Sequence, residues 1–128
     1  MGESSPDEMS LYSKYEKEEA ELKGPIENFA QYEEYVQEYR EKYDSYCSIN
    51  KTLESYRNEF MTLGKELEVS RGRDKQRFYD MLGQLKDSYR KCGPRHKRLK
   101  KIFIVLHEEL KHLKQMIKDF AVSYARDR

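Results

Sequence analysis

The sequence predicts an all-α fold, specifically a long antiparallel helical hairpin of coiled-coil type built from three helices. Two segments carry apolar residues at heptad spacing, which is typical of helices packed along a narrow seam. Charged residues make up 38% of the 128 positions and hydrophobic residues only 37%, which is too little apolar surface for a thick core. Six Gly and three Pro supply few turns for an all-β domain. This length predicts a single domain.

The N-terminal segment is predicted to be a flexible acidic lead over residues 1–24. Residues 1–10 are polar and include Pro6, so we expect them to be disordered. Residues 11–23 are dense in charge and allow a frayed helix. The pair Gly24-Pro25 then breaks the chain, and the helical domain is expected over residues 25–124, with 125–128 as a tail.

The first long helix is predicted from about Glu27 to Val69. One apolar row has a strict seven-residue spacing: Tyr32, Tyr39, Tyr46, Leu53, Phe60 and Leu67. A second row follows three residues behind it: Tyr35, Ile49, Tyr56 and Leu63. Lys42 interrupts this second row, and we expect Tyr43 to cover the gap.

Two further helices are predicted after a turn at residues 70–73. The middle helix would start at Asp74, a plausible N-cap, and end at Gly93-Pro94, since Gly accepts a left-handed cap and Pro cannot continue the hydrogen-bond ladder. The last helix, over residues 95–124, has two complete apolar rows: Leu99, Leu106, Leu113, Phe120 and Phe103, Leu110, Ile117, Tyr124. Its run Ile102–Leu106 is apolar around the helix, so it is either buried by two neighbours, which we favour, or a docking patch.

The near-neutral total charge conceals two opposed halves. Residues 1–64 carry 7 Lys or Arg against 15 Asp or Glu, whereas residues 65–128 carry 18 against 9. Such a chain can fold back on itself, pair with a second copy, or offer two partners opposite faces.

The surplus positive charge is concentrated in one stretch, which we take as the candidate partner-binding site. It comprises Lys86, Arg90, Lys91, Arg95, Lys97, Arg98, Lys100 and Lys101. An acidic face of a partner protein would be attracted to it; the alternative is a solvated region that complements the acidic first helix. Nucleic acid is not expected, because no aromatic stacking platform is interleaved here.

No pattern of catalytic or cofactor-binding residues is found. His107 and His112 are five positions apart, whereas a zinc-protease helix needs two His four apart. Cys47 and Cys92 form no C-x-x-C motif, so we expect reduced thiols. We therefore expect a protein that is not an enzyme and binds no metal or cofactor. No apolar run is long enough for a membrane span and no signal peptide is evident, so an intracellular location is expected.

Part of the last helix resembles the C-terminal signature of the occludin/ELL domain family. The matching residues are Leu106, Leu110, His112, Lys114, Ile117, Asp119 and Phe120, with Leu113 in place of the usual Ile. Pro25-Ile26 is similar to the family's entry, and residues 60–63 and 84–91 are similar to its middle. Gly24 and Phe103 depart from the pattern. The resemblance covers about residues 25–121.

The resemblance implies a non-catalytic protein–protein interaction module formed by a helical hairpin. Residues 60–63, 89–91 and 106–107 are slightly nearer the ELL branch, whose members help assemble nuclear RNA polymerase II elongation complexes. The alternative is an occludin-like domain at the cytoplasmic side of tight junctions, where the basic face of occludin engages the zonula occludens scaffold. A second alternative is a structural coiled coil that self-associates as a homodimer.

Overall fold

The computed structural model describes residues 12–127 and contains two long helices. Helix α1 spans Phe29–Ser70 and helix α2 spans Lys75–Arg126, and a short 3-10 turn at Ser13–Tyr15 precedes them. No strand occurs in this part of the chain. The predicted all-α fold is therefore confirmed, but the prediction of three helices is wrong.

Side chains at the helix starts satisfy backbone N–H groups that lack helical partners. The Gln31 N–H donates to Oδ1 of Asn28 at 2.8 Å, and Oε1 of Gln31 accepts the Glu27 N–H at 2.7 Å, an arrangement similar to a capping box. At the start of α2 the Arg77 N–H donates to Oδ1 of Asp74 at 3.2 Å. The predicted N-cap role of Asp74 is thus confirmed.

Helix α2 continues through Gly93-Pro94, where a helix end was predicted. Pro94 lies inside the helix, and no glycine between residues 12 and 127 has a positive φ, so Gly93 does not form a left-handed cap. Proline in a helix interior costs roughly 3 kcal/mol. Aromatic contacts with α1 flank the proline and favour the continuous helix, since Tyr89 contacts Phe60 and His96 contacts Tyr56. The predicted middle and last helices are therefore one.

The chain divides into two compact units, residues 1–48 with 101–128 and residues 49–100. In the second unit the C-terminal part of α1 and the N-terminal part of α2 form a helical hairpin closed by the turn at residues 71–74. Ile49, Leu53, Met81 and Leu99 are buried there. The Ser70 hydroxyl, also buried, donates to the Leu67 carbonyl at 3.1 Å and so helps end α1.

In the first unit, residues 29–48 of α1 pair antiparallel with residues 101–126 of α2, and residues 12–28 lie against both. We call residues 12–28 the strap. Tyr12, Tyr15 and Ile26 of the strap are buried, although the sequence assigns residues 12–24 to a flexible lead. The predicted frayed helix over 11–23 is wrong, because Ser13–Tyr15 are the only helical residues among 12–23. The expectation of disorder for 1–10 concerns residues outside the described part.

Strap contacts at Lys101 and Glu109 bracket the broad apolar run on α2. Ile102, Val105 and Leu106 are buried, as the favoured interpretation expects, whereas Ile104 remains 53% exposed. Further along, Ile26 of the strap clusters with Tyr35 and Leu113. Because α1 packs against only one side of α2, a second side of α2 would be exposed to water without the strap, which packs there.

Residues 12–127 contain no helix with the length and apolar character needed to cross a membrane.

Replacing Gly93 by Ala tests whether α2 is continuous. In a continuous helix the change should raise the free energy of unfolding by about 1 kcal/mol, because an added Cβ would only touch the Tyr89 ring at 3.8 Å. Gly83→Ala is the matched control in open space on the same helix and should stabilise equally. Urea denaturation followed by circular dichroism measures both. Destabilisation by Gly93→Ala alone would indicate the left-handed cap that the sequence predicts.

Candidate functional site

The predicted basic stretch lies on α2 and does not form a single surface. Four of its exposed side chains share one face of the helix, because they follow one another at four-, seven- and three-residue steps. We call these four the basic face: Lys86, Arg90, Lys97 and Lys100. All belong to the unit formed by residues 49–100. The role of the stretch in partner binding stays a prediction.

The other members of the stretch point elsewhere. Arg95 lies over the Tyr56 ring at 6.0 Å from its centroid, and Lys101, in the other unit, pairs with Glu18 of the strap at 3.0 Å. Lys91 and Arg98 fall on a different side of the helix from the basic face. On the basic face itself, Arg90 approaches Asp87 at 4.0 Å, but both groups are largely exposed, so this pair contributes little stability.

A buried charge cluster lies at the centre of the first unit, and its key member is Glu109. The Glu109 side chain is only 1% exposed. Its Oε2 accepts hydrogen bonds from the Glu21 backbone N–H at 2.7 Å and from Lys17 Nζ at 3.1 Å. Its Oε1 lies 2.8 Å from Lys42 Nζ. One carboxylate on α2 therefore binds two groups of the strap and one of α1.

Lys42 extends the cluster along α1. It is 7% exposed, and its Nζ also lies 2.6 Å from Oε2 of Glu38, which in turn binds Lys23 of the strap. The expectation that Tyr43 covers this seam position is wrong, because Tyr43 is 47% exposed. Lys42 itself occupies the seam, which it can do because two carboxylates compensate its buried charge.

His112 adds a further anchor for the strap. Its Nε2 hydrogen-bonds the Lys23 carbonyl, and since a carbonyl only accepts, that nitrogen carries the proton. The hydroxyl of Tyr35 donates to the Gly24 carbonyl at 2.8 Å. The strap is thus held by backbone contacts to both helices in addition to its ion pairs.

The pKa values of the cluster are shifted away from neutrality. Burial raises the pKa of Glu109, but the Glu21 N–H and the Lys42 and Lys17 ammonium groups outweigh it, so that this pKa is lowered. Burial also opposes the charge on Lys42, yet Glu109 and Glu38 raise its pKa. The pKa of Glu38 is lowered by Lys23 and Lys42 against its own burial, and the pKa of Lys23 is raised chiefly by Glu38. All four groups are charged at neutral pH.

The remaining candidate residues do not converge. His107 hydrogen-bonds Tyr46 at 2.9 Å through Nδ1, whereas His112 faces the strap. Between residues 12 and 127 no three His, Cys, Asp or Glu side chains are grouped as metal ligands would be. Both cysteines are free thiols. The charges of the cluster compensate one another, so its role is structural. We call this cluster the lock; it comprises Lys17, the Glu21 N–H, Lys23, Glu38, Lys42 and Glu109.

The residues of this lock were missed by sequence reasoning. The sequence marks Lys42 as an interruption of an apolar row, and it does not single out Glu109. The available signal was Lys42, a charged residue at a seam position of α1, since burying such a charge requires an opposite partner. Glu109 lies in neither apolar row of α2 and gave no such signal. The sequence contained no sign that the strap would bind Glu109, because Glu21 donates its backbone N–H and not its side chain.

In each unit the two helices pair antiparallel, and in the first unit the strap packs against them. This arrangement defines an all-helical domain of coiled-coil type. The family model of the occludin homology domain matches residues 23–122. The chain belongs to this family, and the predicted resemblance is confirmed. Comparison with the curated proteins and with the solved structures returns no match.

Removing either partner of the Lys42–Glu109 pair should destabilise the protein strongly. Lys42→Met or Glu109→Leu alone should lower the free energy of unfolding by about 3 kcal/mol, because a buried charge loses its partner. The double variant should lose less than either single variant. Urea denaturation in a double-mutant cycle measures this coupling. Glu108→Leu, at an exposed neighbouring carboxylate, is the control and should change little. Strictly additive losses would contradict the pairing.

The charge cluster also predicts a pH profile. Because the pKa values of Glu38 and Glu109 are lowered, their stabilisation is complete above the ordinary carboxyl value of 4.5 and is lost as pH falls below it. Because those of Lys23 and Lys42 are raised, their stabilisation is lost only as pH rises above 10.5. Urea denaturation from pH 3 to 11 should show a plateau between two declines. The Lys42→Met/Glu109→Leu variant should show a shallower acid decline; an unchanged decline would refute the assignment.

Proposed function

We propose that this chain is a non-catalytic protein–protein interaction module and that its basic face docks an acidic surface of a partner protein. The observation that carries the proposal is the placement of Lys86, Arg90, Lys97 and Lys100 on one exposed helix face. Membership of the occludin homology domain family supports an interaction role. Charge complementarity of this kind speeds encounter and excludes wrong partners more than it adds affinity.

Interaction rather than catalysis also fits the distribution of polar groups. The buried charges of Lys42 and Glu109 compensate each other, whereas the charges of the basic face are exposed along one side of a helix. A rigid helix presents such charges at fixed spacing, which favours recognition of an equally regular acidic surface.

For the pathway, we propose an ELL-like role in assembling an RNA polymerase II elongation complex, on the similarity of residues 60–63, 89–91 and 106–107 to that branch. The occludin-like role in tight-junction assembly is the alternative, and the basic face suits it equally. A tagged chain that concentrates in the nucleus supports the first role, and one that concentrates at cell contacts supports the second.

Self-association through the opposed charges of the two halves is a further alternative. Part of that opposition is used within the chain, since Lys101 of the basic half pairs with Glu18 of the acidic half. Sedimentation equilibrium at low and high salt separates a monomer from a salt-sensitive dimer.

Reversing the basic face tests the docking proposal. The variant with Lys86, Arg90, Lys97 and Lys100 all changed to Glu should retain its helicity, because these side chains are exposed, and should lose most of the partners that proximity labelling in cells identifies for the unmodified chain. The control variant carries the same charge change at exposed positions on other faces: Lys51, Arg57, Lys65 and Arg77. It should keep those partners.

Salt provides the second readout for the same proposal. Partners recovered with the unmodified chain should dissociate as ionic strength is raised, because exposed charge pairs are screened within about 8–10 Å at physiological salt. Equal labelling by both variants, with complexes that resist salt, would contradict docking through the basic face.

A further inference from the structure

A groove runs between α1 and α2 on the side of the first unit away from the strap. Two adjoining cavities of about 510 and 340 Å³ form it, and both are lined by Tyr39 and Lys114. We call it the tyrosine groove, because Tyr32, Tyr39, Tyr43 and Tyr46 of α1 form its floor. It lies wholly within the unit of residues 1–48 and 101–128 and is separate from the basic face.

The charge of the tyrosine groove is entirely positive. Arg40, Lys111, Lys114 and Lys118 line it, and no Asp or Glu does so among the residues that the structure describes. None of these four cations forms an ion pair within that same part of the chain. On the strap side, by contrast, Lys17, Lys23 and Lys42 each bind a carboxylate. The groove therefore offers uncompensated positive charge beside apolar surface.

The aromatic rings of the groove already stack on one another. Tyr39 stacks on Tyr43 with centroids 5.9 Å apart, Tyr43 on Tyr46 at 6.4 Å, and Tyr46 on Phe103 at 4.4 Å. Of these rings, Tyr46 has one face covered by Phe103, which leaves fewer free faces for the base stacking on which single-stranded nucleic acid binding relies. Tyrosine rings combine apolar surface with a hydroxyl group, which suits apolar side chains and hydrogen-bond partners.

The dimensions of the groove match a short helix. From Tyr32 to Tyr46 the floor extends 14 residues along α1, which is roughly 21 Å at 1.5 Å per residue. A helix of about four turns has this length. Laid between two helices, it would bury apolar residues at i, i+3 and i+7 and present acidic residues to the flanking cations.

We propose that the tyrosine groove binds an acidic amphipathic helix of a partner protein. Leucine-like side chains of that helix rest on Tyr39, Tyr43 and Ile117, and its carboxylates pair with Arg40, Lys114 and Lys118. This site is additional to the basic face and does not depend on it.

A designed peptide tests the proposal directly. The probe is a fluorescent 14-residue peptide with Leu at i, i+3, i+7 and i+10 and mainly Glu elsewhere, titrated into the full chain by fluorescence anisotropy. It should bind at least about tenfold more tightly than a scrambled peptide of the same composition, because only the patterned one can lay an apolar stripe in the groove. Equal binding of the two peptides would overturn the proposal, and so would tighter binding of a 20-nucleotide oligothymidine.

Charge variants locate the site. Lys114→Glu with Lys118→Glu should weaken the patterned peptide by about tenfold, since two attractions become repulsions. Lys51→Glu with Lys65→Glu makes the same charge change at exposed positions of the other unit and should change binding less than about twofold. Equal weakening by both pairs would overturn the assignment. The variant with a reversed basic face should still bind the peptide, so the two proposals can fail separately.

Cys47 gives an independent report, because it is exposed and lies one helical turn beyond Tyr43. A hydrogen bond with Cys47 also raises the pKa of Tyr43. In a Cys92→Ser background, saturating patterned peptide should slow the alkylation of Cys47 several-fold, and the scrambled peptide should not. Tyr43→Ala, at an exposed position, should preserve helicity and weaken the peptide. Unprotected Cys47, or full binding by Tyr43→Ala, would contradict the placement.

Discussion

The structure of the first unit depends on one buried carboxylate. Glu109 on α2 is almost fully excluded from water, and such a charge is tolerated only if donors surround it. Its donors come from α1 and from the strap, so three separate parts of the chain must be in place before the charge is compensated. Such a requirement adds more to specificity than to net stability, because breaking a buried ion pair costs much more than the pair contributes over an apolar replacement.

Much of the helical content was predictable from the sequence, because heptad rows record which side of each helix is buried. The rows from Tyr32 to Leu67 and from Leu99 to Phe120 lie along the observed seam. The break at Gly93-Pro94 was predicted wrongly because local propensity favours it, whereas tertiary context can override propensity, and here Tyr89 and His96 contact α1 on either side of Pro94.

The hydrophobic periodicity of the sequence could not predict the strap or the lock. A segment without helical or strand periodicity gives no sign of where it packs, and Tyr12 and Tyr15 are too isolated to form a row. Lys42 and Glu109 looked like ordinary surface charges, since 38% of the chain is charged. Only their burial distinguishes them, and burial is decided by the strap.

The lock also determines which charges face outward. On the strap side of the first unit, lysines and carboxylates compensate each other; on the opposite side the cations of the tyrosine groove have no such partners, and the second unit carries its own basic face. The acidic and basic halves of the sequence are therefore only partly neutralised by folding. The uncompensated charge of the tyrosine groove and of the basic face is positive, and it lies beside aromatic or regularly spaced helical surface that suits protein partners of opposite charge.

Hydrogen exchange at the Glu21 amide tests the central claim most directly. This N–H lies outside any helix, and its partner is Oε2 of Glu109 at 2.7 Å. If the lock holds the strap, the Glu21 amide should exchange at pH 7 as slowly as the buried amides of α2 near Leu106, and it should lose this protection in Glu109→Leu while the amides of residues 75–85 keep theirs. Exchange of the Glu21 amide at the rate of an unstructured peptide in the unmodified chain would contradict the account.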